Sequence, residues 1–267
     1  ESSRIRQQIS DPNTNQDVVK LNKAPKIAVY APKTTQPWDD AVMLALTYAE
    51  IPYDIIYDED VLKGVLPMYD WLHLHHEDFT GQYGKFWASY RNAAWYQEEV
   101  RVAEQTARAH GFNKVSQLKL AVAKKIRDFV FGGGYLFAMC SATDSFDVAL
   151  AAEGVDICEH MFDGDPMDPK ANSKLDFSKT LAFTNFTVVT NPMEYEISSI
   201  DATQTRRVLP KDDFFALFEF SAKWDPIPTI LTQNHERIIK GFMGQTTAFK
   251  NEYIKSSVVI LGDNKAL

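Results

Sequence analysis

The chain has 267 residues, of which 45% are hydrophobic and 12% aromatic, so it can fold around a core and is not a disordered protein. Its formal net charge of −8 argues against a nucleic-acid partner, because binding a phosphate backbone needs clustered Lys and Arg side chains. No apolar run reaches the ~18 residues of a membrane span. We therefore expect a small-molecule substrate or ligand as the partner.

Strands and helices alternate in the first half of the sequence. Residues 1–25 are polar and predict an N-terminal arm. Short apolar runs predict four strands, at 26–30, 53–58, 69–79 and 135–140. Helical spacing of apolar residues predicts four helices, at 37–50, 92–111, 116–134 and 142–154. Residues 26–155 therefore predict an α/β, flavodoxin-like core, with a mostly parallel sheet and helices on both faces.

The second half has a different pattern. Residues 156–267 predict a β-rich insertion or extension, with strands at 181–189, 214–223, 228–233 and 256–262. Because the last of these strands lies so near Leu267, we expect this region to be incomplete at its C-terminus. The chain begins at Glu1 rather than Met, so a removed signal peptide would imply export to the periplasm, and otherwise the protein is cytoplasmic.

The two cysteines, Cys140 and Cys158, are compatible with one disulfide in an oxidising compartment. Cys140 follows the apolar run "YLFAM" and precedes the helical pattern "ATDSFDVALA". We expect it at the carboxyl end of a central parallel strand, with a helix beginning within about two residues. Such an elbow exposes a nucleophile, and the N–H of Ser141 then faces a developing oxyanion. The alternative is a buried structural thiol at a strand end.

The stretch "IRDFVFGGGYLFAMCSA", residues 126–142, resembles the class I glutamine amidotransferase-like fold. In that fold a helix, a Gly-Gly turn and a strand lead into a Gly-x-Cys-x-Gly elbow, whereas this chain has Ala138 and Ala142 in place of both glycines. The resemblance covers roughly residues 26–155. It implies that Cys140 is the nucleophile of a Cys-dependent amidase or glutaminase-like hydrolase.

Over most of its length the chain also resembles a bacterial family that carries the label asparagine synthetase B. The chemistry of that label needs an N-terminal cysteine and a Ser-Gly-Gly-x-Asp-Ser type loop for pyrophosphate. This chain begins with Glu1 and has no such loop. We therefore do not expect ATP-dependent asparagine synthesis.

The amidotransferase resemblance also implies a general base, a late His-x-Glu pair in which the acid orients the imidazole. The nearest match is His235 followed directly by Glu236, 95 residues after Cys140. In this chain the acid adjoins the histidine, and the sequence around the pair also reads as a hairpin turn. His235 and Glu236 are therefore the candidate base and orienting acid, with a structural turn as the alternative.

Histidines and acids cluster where the third strand reaches the ligand-binding edge of the sheet. His75, His76 and Glu77 begin a loop that we expect to approach Cys140, since loops after neighbouring parallel strands share one edge. The amidotransferase resemblance implies that Gly81 in this loop gives a backbone N–H to the oxyanion hole. The alternatives are a divalent metal site with Asp78 and His160, or a purely structural role.

An acidic stretch at 163–168 is similar to a calcium loop but lacks the Glu and the spacing of an EF-hand, so ordinary turns are the alternative. We expect neither a cofactor nor a bound metal. Three functions remain open: a hydrolase with Cys140 as nucleophile, a non-catalytic module that binds a small molecule or a carbohydrate, and a metal-dependent hydrolase centred on the histidines.

Overall fold

The computed structural model describes residues 25–32, 41–200, 214–216, 238–240 and 251–255. The chain divides into two compact units, residues 25–202 with 248–263, and residues 1–24 with 203–247 and 264–267. The described part of the second unit is an antiparallel strand pair, Phe214–Ala216 with Ile238–Lys240. The predicted arm and the predicted strands at 228–233 and 256–262 lie outside the described residues.

Four short parallel strands form the sheet of the larger unit. They are β1 (Ile27–Tyr30), β2 (Tyr53–Ile56), β3 (Trp71–Leu74) and β4 (Tyr135–Ala138). Their order is β2-β1-β3-β4, so the direction of chain travel across the sheet reverses between β1 and β3. This is the order of a flavodoxin-like α/β sheet, whose ligands bind beyond the carboxyl ends of the strands next to such a reversal. The predicted fold class is confirmed.

Seven α-helices accompany these strands in the described residues. They are α1 (Ala41–Tyr48), α2 (Asp58–Leu62), α3 (Trp87–Tyr90), α4 (Ala94–Ala109), α5 (Val115–Phe131), α6 (Ala142–Ala151) and α7 (His160–Asp163). Single 3-10 turns lie at Leu66–Met68, Tyr83–Lys85, Ala171–Ser173, Phe177–Lys179 and Asn251–Tyr253. Among the described helices, none combines the length and the apolar composition needed to cross a bilayer.

Helices cover both faces of the sheet, as predicted. On one face, Met43 and Leu46 of α1 pack against alternate residues of β1, among them Val29. On the other face, α5 and α6 pack against the intervening positions of the strands, with Ile126 and Phe146 in one cluster. β1 is buried along its whole length because it is covered on both sides, which explains its continuous apolar sequence.

β4 differs from the strand that the sequence predicted in one respect. It pairs only with β3 in the described residues, so it is the outermost strand of the described sheet and not a central one. Its residues are half-buried or exposed, with Tyr135 58% exposed. The expected central position, which an edge strand would count against, is therefore not met among the described residues, although the strand-turn-helix geometry of an elbow is present.

The prediction of a strand at 181–189 is wrong. The structure has only isolated β-bridges there, at Phe183 and at Val188. The backbone N–H groups of residues 181–183 donate to the carboxylate of Asp147 in α6, at 2.7–2.8 Å. A side chain therefore takes the donors that a strand would give to a neighbouring strand. The carboxylate and these amides anchor the segment on α6.

Candidate functional site

Cys140 lies on a sharp turn between β4 and α6. Met139 still donates its N–H to the carbonyl of Leu74 in β3, at 3.0 Å, so the strand pairing continues to the residue before the cysteine. The carbonyl of Cys140 already accepts a bond from the N–H of Thr143, at 3.1 Å, and α6 begins at Ala142. The predicted strand end and the predicted helix start are therefore confirmed. The side chain is exposed at the carboxyl edge of the sheet.

The backbone of Cys140 is strained. Its φ is +50°, in the left-handed region that L-residues other than Asn and Asp rarely adopt. Strained backbone of this kind costs energy and concentrates at active sites, where it points a side chain into a position that an ordinary turn does not reach. The nucleophile of a strand-turn-helix elbow sits on such a turn.

The strain makes a prediction about stability. The free energy of unfolding of Cys140→Gly should be roughly 0.5–1 kcal/mol higher than that of Cys140→Ala. The reason is that glycine relieves the left-handed strain by more than it adds in chain entropy to the unfolded state. Ser141, with an ordinary φ of −63°, is the matched control. At Ser141 the Ala variant should be the more stable of the two. Urea denaturation measures these stabilities. An Ala variant that is more stable than the Gly variant at Cys140 as well as at Ser141 would contradict the strained elbow.

The two cysteines have opposite surroundings and are both free thiols. Cys158 is fully buried, its Sγ donates to the carbonyl of Thr80 at 3.3 Å, and burial raises the pKa of its thiol. Cys140 is exposed at the first turn of α6. The structural thiol of this chain is thus Cys158, and the accessible one is Cys140.

The first turn of α6 supplies backbone donors beside Cys140. The N–H of Thr143 is taken by the carbonyl of Cys140, but the N–H groups of the N-cap residue Ser141 and of Ala142 have no acceptor within the helix. They point toward the carboxyl edge of the sheet, where the positive end of the helix dipole favours a negative charge. The candidate oxyanion donor predicted at Ser141 is therefore positioned next to the exposed thiol.

The loop after β3 contacts this elbow, as predicted. Ser141 Oγ donates to the carbonyl of His76 at 2.7 Å, and Ser145 Oγ donates to the carbonyl of Glu77 at 3.1 Å. His75 is half-buried and His76 exposed, while Glu77 is 7% exposed. These two bonds hold the residues 75–77, which we call the histidine turn, against the first turn of α6.

Gly81 packs closely against the start of α5. It has a φ of +84°, and a Cβ added there would lie 2.7 Å from the backbone nitrogen of Ser116 in α5. Gly84, further along, gives its N–H to the Asp78 carboxylate at 3.0 Å. Among the contacts of the described residues, it is the histidine turn and not Gly81 that touches the elbow.

Among the described residues, His75 and His76 belong to no grouping of metal-ligating side chains. The Nδ1 atoms of His75 and His76 lie 2.9 Å apart in a hydrogen bond, and Asp78 accepts bonds from the backbone of its own loop. In the described residues the one grouping of three potential metal-ligating residues is Asp156, Cys158 and Asp163.

A lysine side chain lies among those acids. Lys114 Nζ is 2.6 Å from Asp156, 3.0 Å from Asp163 and 2.5 Å from Asp165. Asp168, the other acid of the predicted calcium loop, pairs with Lys174. Ion pairs with lysines therefore account for the charge of this loop. The ordinary turns named as the alternative fit it better than a calcium site.

Sequence reasoning missed a buried polar network at the carboxyl ends of β1 and β2. Lys119 Nζ from α5 lies 2.9–3.0 Å from both carboxylate oxygens of Asp58, and the Tyr30 hydroxyl also donates to Asp58. Burial alone would lower the pKa of Lys119, but Asp58 raises it above its usual value, so the ammonium stays charged. These residues are 28 to 89 positions apart, and no spacing in the sequence reveals such a contact.

Two of the predicted catalytic residues, His235 and Glu236, lie outside the described residues. A cavity of about 280 Å³ lies between the beginning of α5 and the segment 152–157, but Cys140 does not line it. Within the described part of the chain, the candidate site therefore consists of Cys140, the first turn of α6 and the histidine turn.

No protein-family model matches the chain, and no curated protein or solved structure shows significant similarity to it. The resemblance to class I glutamine amidotransferases thus stays a prediction from the sequence. The class that the fold itself defines is an α/β protein with a flavodoxin-like parallel sheet and a cysteine at its carboxyl edge.

Proposed function

We propose that this protein is a hydrolase of amides or esters that uses Cys140 as its nucleophile. The observation that carries the proposal is the position of Cys140: an exposed thiol on a strained, positive-φ turn between a parallel strand and a helix N-terminus. Structural cysteines favour buried positions with ordinary backbone, as Cys158 does. Strain at an exposed cysteine contributes nothing to packing and is typical of a functional site.

The proposed reaction follows from these groups. A base takes the thiol proton, and the Cys140 thiolate attacks the carbonyl carbon, whose oxygen becomes an oxyanion near the N–H of Ser141. The tetrahedral intermediate collapses to a thioester, and the leaving amine or alcohol takes the proton from the base. Water, activated by the same base, then attacks the thioester, releases the carboxylic acid and returns the proton to the thiol.

The resemblance of residues 126–142 to the amidotransferase elbow favours an amide as the substrate. The alanines at 138 and 142 still suit an elbow, because Ala142 is fully buried and any larger side chain would meet the packed core. ATP-dependent synthesis is not part of the proposal.

The test is capture of the covalent intermediate. p-Nitrophenyl acetate should acetylate the tryptic peptide that contains Cys140 in the native chain, as measured by mass spectrometry after an acid quench. Cys158→Ala should keep this acetylation and Cys140→Ala should lose it. Equal acetylation of Cys140 in the native and the urea-unfolded chain would overturn the proposal, since an ordinary thiol would then explain the reaction.

A further inference from the structure

The histidine turn carries two imidazoles and is hydrogen-bonded to the elbow through the carbonyl of His76. The Nδ1···Nδ1 distance of 2.9 Å between His75 and His76 requires that one ring donates a proton and the other offers a lone pair. When both rings are neutral, one of them therefore has a basic Nε2 and the other an Nε2–H. A proton acceptor and a proton donor lie side by side on a turn that is bonded to the residue after Cys140.

Glu77 lies directly beneath this pair. Its Oε2 accepts the backbone N–H of His75 at 2.9 Å, so the carboxylate fixes the start of the turn. Its Oε1 is buried and accepts no hydrogen bond from the part of the chain that the structure describes. A buried carboxyl with one open oxygen destabilises a fold, so its presence at a candidate site calls for a functional reason.

Titratable groups of three other elements act on Glu77. α5 contributes Lys119, β1 contributes Tyr30 and the end of β2 contributes Tyr57, while the charge of His75 acts from the same turn. Lys119 is already paired with Asp58. Burial raises the pKa of Glu77 to about 7, in spite of the bond from His75 and the attraction of Lys119 and His75.

We infer that the His75–His76 pair is the proton-transfer group of the Cys140 site, and that Glu77 is the positioning residue that acts on it through His75. The inference rests on the proposed function and gives it a base within the described residues. An imidazole of the pair takes the thiol proton and later gives it to the leaving group. Glu77 holds the turn in place through its bond from the N–H of His75, and its ionised form stabilises the imidazolium.

This assignment differs from the one that the amidotransferase resemblance implied. There, His235 and Glu236 supply the base and the orienting acid. The histidine turn offers the same two chemical functions at the sheet edge where the elbow lies, with hydrogen bonds that connect them to α6. The two assignments make opposite predictions for variants at 76 and 235.

The experiment measures the rate of iodoacetamide labelling of Cys140 in the full chain, by peptide mapping from about pH 6 to about pH 9. His76→Gln and Glu77→Gln should each slow labelling near neutral pH, the former by roughly tenfold or more, and should move the rate profile toward that of an ordinary thiol. His160→Gln, at an exposed histidine, is the matched control and should not change the profile. His235→Gln tests the rival assignment, and slower labelling of that variant would overturn the inference. Continued protection of the buried Cys158 reports that each variant is folded.

Profiles of His76→Gln and Glu77→Gln that superimpose on the wild-type profile would overturn the inference. The proposed function would survive that result if Cys140 still formed the acetyl intermediate, and it would fail separately if the wild-type thiol reacted like an unfolded one. A second measurement needs no variant: alkylation of Cys140 should shift the imidazole NMR resonances of His76 but not those of His160. Unshifted His76 resonances would also contradict the inference.

Discussion

Replacing Lys119 by Met should lower the free energy of unfolding by about 3–5 kcal/mol, measured by urea denaturation. Lys119 and Asp58 are 6% and 3% exposed and form a buried ion pair at 2.9 Å. Removing the ammonium leaves the Asp58 carboxylate buried without its cation, with the Tyr30 hydroxyl as its remaining partner in the network. An uncompensated buried charge is among the most destabilising changes that a single substitution makes.

The control is Lys125→Met, on the exposed side of the same helix, which should change stability by less than about 0.5 kcal/mol. The double variant Asp58→Asn, Lys119→Met should recover part of the loss, since it removes both charges. Equal stabilities of Lys119→Met and Lys125→Met would show that the buried pair contributes nothing.

Glu77→Gln should become progressively more stable than the wild type as the pH rises from about 4 to about 8, with a total change of about 3 kcal/mol. Burial raises the pKa of Glu77 from its usual 4.5 to about 7. The folded state therefore binds more protons than the unfolded state between these values. Stability from this group is fully present below pH 4.5 and is lost as the pH rises through about 7.

Every other carboxyl group is common to the two proteins, so the difference in unfolding free energy between them isolates Glu77. Glu104→Gln, which removes a surface ion pair with Arg108, serves as the control and should show no comparable pH dependence. A wild type and a Glu77→Gln variant that respond identically to pH would contradict the burial of an ionisable carboxyl at the histidine turn.

The parallel sheet and the elbow were predictable because their signals are local. β1 is a short apolar run with a β-branched centre, and the helix after Cys140 has small and apolar residues at helical spacing. A cysteine between a strand pattern and a helix pattern is therefore expected on the turn that joins them. The sequence predicted a central strand, whereas β4 is the outermost strand among the described residues, because which strands pair side by side depends on contacts between distant parts of the chain.

The chemistry around the elbow was only partly predictable. The sequence placed His75 and His76 at the correct edge of the sheet, but alternation along a strand predicted that adjacent side chains point apart. In the structure β3 ends at Leu74, so these histidines lie on a turn after the strand, where their rings meet. The bond from Ser141 to His76 spans 65 residues, and no spacing rule reveals it.

The central claim is that Cys140 is an activated nucleophile, and its most direct test compares the two cysteines of the native protein. Brief iodoacetamide labelling near neutral pH, followed by peptide mapping, gives the rate at each thiol. We predict that Cys140 reacts at least roughly tenfold faster than the same thiol in the urea-unfolded chain, while Cys158 stays unmodified until the protein unfolds. Labelling of Cys140 no faster than that of Cys158 would contradict the claim.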